Sequence, residues 1–165
     1  MVADVVAAAA AGTTDAAELA AAGVETTTPL TADQLEAVND ALDAAAATDP
    51  VTSPTTPEEL QALVDEAIAE TDAVAIVVAE SANDAPTQAE LTAAGVTQAD
   101  LTDDQLAAID DALEAAAATD PVTSPTTPEE LQALVDEAVA ETDAVATVVA
   151  AAAADTTDAA GLTDA

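Results

Sequence analysis

The sequence predicts an all-α fold of tandem three-helix bundle modules arranged end to end. Residues 44–67 recur letter for letter as residues 115–138, so one module is written twice. Each copy holds three segments whose apolar residues recur at helical spacing, and each segment opens with a helix-capping pattern. Hydrophobic residues make up 51% of the chain, more than a disordered acidic tail carries, which indicates a folded protein.

The first helix of each copy is short. Asp15 and Glu18 have the spacing of a capping box, in which each side chain accepts a hydrogen bond from the other residue's backbone N–H. Gly23 supplies the left-handed residue that ends the helix, and Val24 supplies the apolar contact after it. The second copy repeats the pattern at Thr87, Glu90, Gly95 and Val96.

The second helix opens with the box Thr31 and Gln34. Leu35, Val38 and Leu42 follow at spacings of three and four, which places them on one stripe. The copy has Thr102, Gln105, Leu106, Ile109 and Leu113 at the same points.

A Thr/Pro connector leads into the third helix. Pro50 and Pro54 are expected to keep it extended, while Thr56 caps the helix, Pro57 takes its first position and Glu59 completes the box. The pattern predicts an amphipathic helix of about 25 residues, roughly 37 Å long. Its predicted apolar stripe comprises Leu60, Leu63, Val64, Ala67, Ile68, Thr71, Val74, Ala75 and Val78.

The repeat sets the predicted organisation. Residues 1–12 are interpreted as the end of a preceding repeat's last helix, 13–84 as the first three-helix repeat and 85–155 as the second. Residues 156–165 are interpreted as the start of a further repeat or a tail.

The chain resembles the GA-module-like three-helix repeats of bacterial cell-surface and adhesin proteins. The resemblance is carried by Glu90, Leu91, Gly95 and Val96 in the first helix and its turn, and by the run Ala133, Leu134, Val135, Asp136 and Glu137 in the last helix. It implies the three-helix fold and a place in a surface-exposed tandem array. The family's tyrosine before Gly-Val is alanine here and its lysines are absent, so the resemblance does not extend to albumin binding.

Composition excludes several classes of function. The chain has 34 acidic residues and no lysine, arginine or histidine, a formal charge of −34 that repels nucleic acid and anionic membranes. Without histidine or cysteine it has no imidazole base, no thiol nucleophile and no common transition-metal ligand. No apolar run approaches the ~20 residues of a membrane span. We therefore predict no enzyme, no cofactor, no membrane insertion and no catalytic, cofactor-binding or metal-ligating residue.

Three features allow a second interpretation. The pairs Asp103 with Asp104 and Asp110 with Asp111 offer oxygen ligands for calcium, but they lie on a helix without a glycine turn, which favours a solvated acidic face. The Thr/Ser/Pro connector could be glycosylated, although a stiff connector with an N-cap explains every residue. The Val-rich residues 72–80 could contact a partner helix, although burial within the module is favoured.

The predicted function is a non-enzymatic structural segment of an extracellular or cell-surface bacterial protein, an adhesin stalk or spacer. The absence of lysine, arginine and aromatic residues removes the cleavage sites of trypsin-like and chymotrypsin-like proteases. The alternative is a self-assembling filament or surface-layer subunit that packs head to tail through its partial terminal helices. The expected partners are diffuse cations such as calcium or sodium and, for the filament, other copies of the chain. A binding module for a host protein is disfavoured because aromatic and arginine hot-spot residues are missing.

Salt should stabilise this chain. Like charges at helical spacing, such as Glu66 with Glu70, cost about 0.2–0.5 kcal/mol each, and no cation offsets them. The screening length falls from ~30 Å at 0.01 M salt to ~10 Å at 0.1 M. We expect Tm to climb steeply across that range of salt concentration, and to climb again with millimolar calcium. Thermal scans followed by circular dichroism measure this, and a Tm indifferent to salt would contradict it.

Overall fold

The protein, known from a computed structural model, is all-α as predicted. The structure describes residues 2–9, 11–26, 28–48, 54–119 and 124–161, without the side chains of 48, 119 and 154–161. These ranges contain seven helices and no strand: α1 Val2–Ala9, α2 Ala16–Ala21, α3 Ala32–Thr48, α4 Pro57–Glu80, α5 Gln88–Ala93, α6 Asp103–Thr119 and α7 Pro128–Gly161.

The predicted capping boxes are confirmed. At the start of α4 the N–H of Glu59 donates to Thr56 Oγ1 at 3.2 Å, and the N–H of Thr56 donates to Glu59 Oε2 at 3.1 Å. Pro57 occupies the first helical position, where a missing N–H costs no hydrogen bond. The same reciprocal pair opens α2, α3, α5 and α6, at Asp15 and Glu18, Thr31 and Gln34, Thr87 and Glu90, and Thr102 and Gln105.

The predicted glycine turns are also confirmed. Gly23 has φ +99° and ends α2, while the N–H of Val24 reaches back to the carbonyl of Leu19 at 3.0 Å. This is the hydrogen bond of a Schellman turn, and it brings Val24 into the core beside the helix it closes. Gly95 ends α5 in the same way, with φ +87°.

The last helix of each copy differs in length. α4 has 24 residues, close to the predicted length, whereas α7 has 34 and continues without a break to Gly161. Residues 156–161, predicted to begin a further repeat or a tail, are thus helical. The remaining residues 162–165 lie outside the described part of the chain, as do residues 49–53 with the predicted extended Pro50.

Two hydrophobic clusters form the core, and α4 contributes to both. The first cluster joins α1, α2, α3 and the N-terminal half of α4, and its buried members are Val2, Val5, Ala9, Leu19, Ala22, Val24, Ala37, Val38, Leu42, Leu60, Val64 and Ala67. The second joins the C-terminal half of α4 to α5, α6 and α7, and its buried members are Val74, Val77, Leu91, Ala94, Val96, Ile109, Leu113, Leu131, Val135 and Ala138. One continuous helix therefore links the two cores.

The predicted stripe of α4 is right as far as Val74 and needs two corrections beyond it. Val77 is buried although the pattern omitted it, and Ala75 is exposed although the pattern included it. The buried face turns at this point because α4 leaves the first cluster after Ala67 and enters the second at Val74.

A polar contact in the first unit is missing from the second. Asn39 on α3 accepts a hydrogen bond from the N–H of Thr14 at 3.3 Å and donates to the carbonyl of Leu35 at 2.8 Å. In the second copy Asp110 replaces Asn39 and Pro86 replaces Thr14. Proline has no N–H to donate, and Oδ1 of Asp110 is buried without a hydrogen-bond partner.

Replacing Asp110 by asparagine should stabilise the protein. Asp110→Asn removes a poorly partnered buried carboxylate, and we expect the free energy of unfolding to rise by about 1 kcal/mol. The reverse change, Asn39→Asp, should lower it by about 1–3 kcal/mol because the donor to Leu35 is lost. Urea unfolding at high salt measures both.

Asp111→Asn is the matched control, because Asp111 is the exposed neighbour and its replacement changes the net charge equally. Equal effects of Asp110→Asn and Asp111→Asn would show that only net charge matters at this position.

Candidate interaction surface

One helix face lies in different surroundings in the two copies. Val74 and Val77 of α4 are 0% and 1% exposed, whereas the corresponding Val145 and Val148 of α7 are 63% and 68% exposed. Val149, which corresponds to the partly buried Val78, is 62% exposed. The C-terminal half of α7 thus presents an apolar stripe that its counterpart in α4 buries.

The sequence of the two faces does not explain this difference. Residues 70–79 and 141–150 are identical except for Ile76, which becomes Thr147. The difference comes from the partners, because α4 contacts α5 and its valines cluster with Leu91 and Ile109. The Val-rich residues 72–80 therefore pack against the following copy, the contact that the sequence left as the less favoured interpretation.

The turn at Gly95 brings three helices close together. A Cβ added to Gly95 would lie 3.1 Å from the Cβ of Pro128 in α7 and 3.3 Å from the Cδ of Glu70 in α4. The first copy has only the corresponding proline contact, 3.4 Å from Gly23 to Pro57. Glycine is thus required at 95 both for its positive φ and for the approach of α4 and α7.

Carboxylates from both copies gather at this junction. Partial burial raises the pKa of Glu70, and the charges of Glu66 and Glu129 raise it further. The side chain of Glu129 retains contact with solvent, but the loss of part of its hydration raises its pKa, and Asp40 and Glu36 of α3 add to the rise. Partial burial, followed by the charge of Asp43, also raises the pKa of Asp40. The junction therefore favours protonated carboxyl groups.

Capping carboxylates behave in the opposite way. Hydrogen bonds from Thr55 and Thr56 lower the pKa of Glu59, and those from Thr87 lower the pKa of Glu90. Hydroxyl and backbone N–H donors at the helix start stabilise the charged form of each, with the Thr87 hydroxyl contributing most at Glu90 and the Thr55 N–H most at Glu59.

Glutamine amides connect the helices where a salt bridge would otherwise serve. Nε2 of Gln34 on α3 donates to Asp72 of α4 at 3.0 Å, and Nε2 of Gln105 on α6 donates to Asp143 of α7 at 3.1 Å. Gln98 donates to Asp136 in the second unit. These amides satisfy carboxylates without adding charge.

An open cavity of about 540 Å³ lies between the copies. The start of α3, the C-terminal half of α4 and the segment before α7 line it, through Gln34, Asp72, Val78, Ser124 and Pro125. Oγ of Ser124 is buried and has no hydrogen-bond partner. The cavity thus combines an apolar wall with hydroxyl groups and the carboxylates of Asp33 and Asp72.

The acidic pairs singled out in the sequence do not converge. Asp103, Asp104 and Asp111 are exposed on α6, and only Asp110 is partly buried. Among the described residues, no group of three or more acidic side chains is arranged to hold a metal ion. None of the described helices is both long enough and apolar enough to cross a membrane.

Comparison with protein-family models, with curated proteins and with solved structures finds no match to the chain. The GA-module resemblance therefore stays a prediction from the sequence.

Mild acid should stabilise the folded chain. Glu70 and Glu129 have folded pKa values above the ordinary 4.5 of glutamate, so the folded state binds protons more readily than the unfolded state. Stability should rise as the pH falls from 7 through these raised values towards 4.5. It should fall again at lower pH, where Glu59 and Glu90 lose their capping charges.

The double change Glu70→Gln with Glu129→Gln should remove the larger part of the rise in Tm between pH 7 and 4.5. Glu58→Gln with Glu141→Gln is the control, because these two residues are the counterparts of Glu129 and Glu70 in the opposite copies and their replacement changes the net charge equally. Thermal scans across this pH range measure both. If Tm still rises between pH 7 and 4.5 after the double change, the stabilisation comes from other carboxylates.

Proposed function

We propose that the chain is a non-enzymatic structural segment of an extracellular bacterial surface protein, a stalk or spacer of tandem three-helix modules arranged end to end. The observation that carries this proposal is the continuity of α4 through both hydrophobic clusters. Residues 57–80 span about 36 Å at 1.5 Å per residue, with no flexible linker between the cores. Modules joined by a shared helix keep a fixed separation, which is what a spacer requires.

The chemistry of the side chains supports a structural role. The chain has no histidine, cysteine, lysine, arginine or aromatic residue to act as a base, nucleophile or phosphate clamp. Its exposed carboxylates instead keep it hydrated, and the absence of lysine and arginine leaves no cleavage site for trypsin-like proteases, both useful outside a cell. Diffuse cations such as calcium or sodium are the expected counterions.

A head-to-tail filament or surface-layer subunit is the second candidate. The observation that favours it is the exposed stripe formed by Val145, Val148 and Val149 on α7. Exposed apolar stripes of this kind mark contact surfaces.

A spacer should hold its two cores at one distance. The chain lacks cysteine, so spin labels can be attached through Asp43→Cys on α3 and Glu114→Cys on α6, equivalent and exposed positions. We expect electron paramagnetic resonance to give one narrow distance distribution, because α4 couples the cores.

Inserting Gly-Ser-Gly-Ser after Ala69, in the middle of α4, should broaden this distribution. The same insertion after Asn83, in the turn between α4 and α5, is the control and should leave it narrow. A broad distribution in the unaltered chain would overturn the spacer proposal.

A further inference from the structure

Three segments of the chain carry the same valine pattern, and only one of them is uncovered. The pattern occurs in α1 as Val2, Val5 and Val6, in α4 as Val74, Val77 and Val78, and in α7 as Val145, Val148 and Val149. The first two valines are buried in α1 and α4 and are more than 60% exposed in α7.

The surface that covers this pattern is also present twice. In the second core the end of α4 packs with Leu91, Ala94 and Ile109. In the first core the corresponding residues are Leu19, Ala22 and Val38, and they pack with α1. The two helices that bury the valine pattern lie against different neighbours, since α1 contacts α3 and α4 contacts α5. The two surfaces therefore accept the valine pattern in more than one arrangement.

We propose that the C-terminal half of α7, residues 142–153, docks onto the first core of a second copy of the chain, in the place of that copy's α1. The proposal deepens the second candidate function, because it names the partner and the surface. It commits to a second copy because the chain itself contains both the exposed helix face and the surface that buries its two counterparts.

α7 has an advantage over α1 in this exchange. α1 has eight residues, and a helix of that length is marginal alone because forming its first turn is unfavourable. The docking part of α7 extends a 34-residue helix already anchored in the second core, so its first turn is formed beforehand. It also carries Thr147 where α1 carries Asp4, one negative charge fewer against an acidic partner.

The exchange joins unlike surfaces of two copies, so each added copy presents a new exposed stripe and the assembly grows as an open chain. α1 competes from within the same molecule at a high effective concentration. Assembly should therefore depend on protein concentration, and weakening α1 should promote it.

Sedimentation velocity at several concentrations, in 0.15 M salt, tests the donor face. Val145→Asp with Val148→Asp should abolish assembly. Ala146→Asp with Ala150→Asp adds the same charge to the same helix, at positions whose counterparts in α4 are exposed, and should leave assembly intact. Circular dichroism checks that both variants keep their helix content.

A second experiment tests the acceptor surface, the part of the first core that α1 covers, by displacing α1 from it. Val2→Asp with Val5→Asp should release α1 and lower the concentration at which the chain assembles by about tenfold or more, since a competent first core becomes the major state. A chain carrying these two changes and both donor-face changes should be monomeric alone and should form a one-to-one complex with the unaltered chain. If the first core of this variant loses helical structure once α1 is released, adding the unaltered chain should also raise the helical circular dichroism signal.

Different results would overturn the helix exchange and the filament. Assembly that persists in the donor-face variant, or that the opening of α1 does not promote, overturns the helix exchange and leaves a filament formed through another surface. Monomeric behaviour of every variant, the opened one included, overturns both the exchange and the filament. Neither result bears on the spacer proposal, which the distance between the spin labels on the two cores tests separately.

Discussion

The absence of any cationic side chain constrains the rest of the structure. Thirty-four carboxylates need partners, and the chain offers them only backbone N–H groups, hydroxyls and amides. The capping boxes place Glu59 and Glu90 where backbone donors and the helix dipole favour a negative charge. Glutamines such as Gln34 and Gln105 tie carboxylates across helices. At Glu70 and Glu129, loss of hydration and the charges of neighbouring carboxylates raise the pKa above its ordinary value.

A second constraint, the absence of aromatic side chains, explains why the cores share a helix. Without aromatic side chains each cluster is built from leucine, isoleucine, valine and alanine, and a small domain of this kind has little stability in reserve. Placing Leu60 and Val64 in one core and Val74 and Val77 in the other gives each core apolar area from a single helix. Because α4 is continuous, a single capped start serves the parts of this helix in both cores. Once its first turn has formed, helical structure propagates from one core into the next.

Local features of the fold were predictable from the sequence, and features that depend on distant residues were not. Capping boxes, the turn at Gly23 and the stripe of α4 up to Val74 rest on spacings of three to five residues. The burial of Val77 depends instead on which core the helix end joins. The unpartnered oxygen of Asp110 depends on Pro86, which lies 24 residues earlier in the chain. The gathering of Glu129 near Asp40 requires two copies to meet, which no single repeat encodes.

The two copies are nearly identical in sequence, so structural differences between equivalent residues report the effect of their surroundings. Val74 and Val145 have the same neighbours in sequence and opposite exposure, so burial is decided by the adjoining unit and not by the repeat itself. A surface covered with carboxylates repels its own copies, and the chain has no cationic side chain to bridge two of them. Any contact between units must therefore be made by apolar faces, aided by neutral amide hydrogen bonds. Counterions that screen the acidic surface weaken the repulsion and leave the apolar attraction, so one condition strengthens both the fold and the joining of units. Salt should therefore favour both the folding of this acidic chain and the hydrophobic contacts between its repeats.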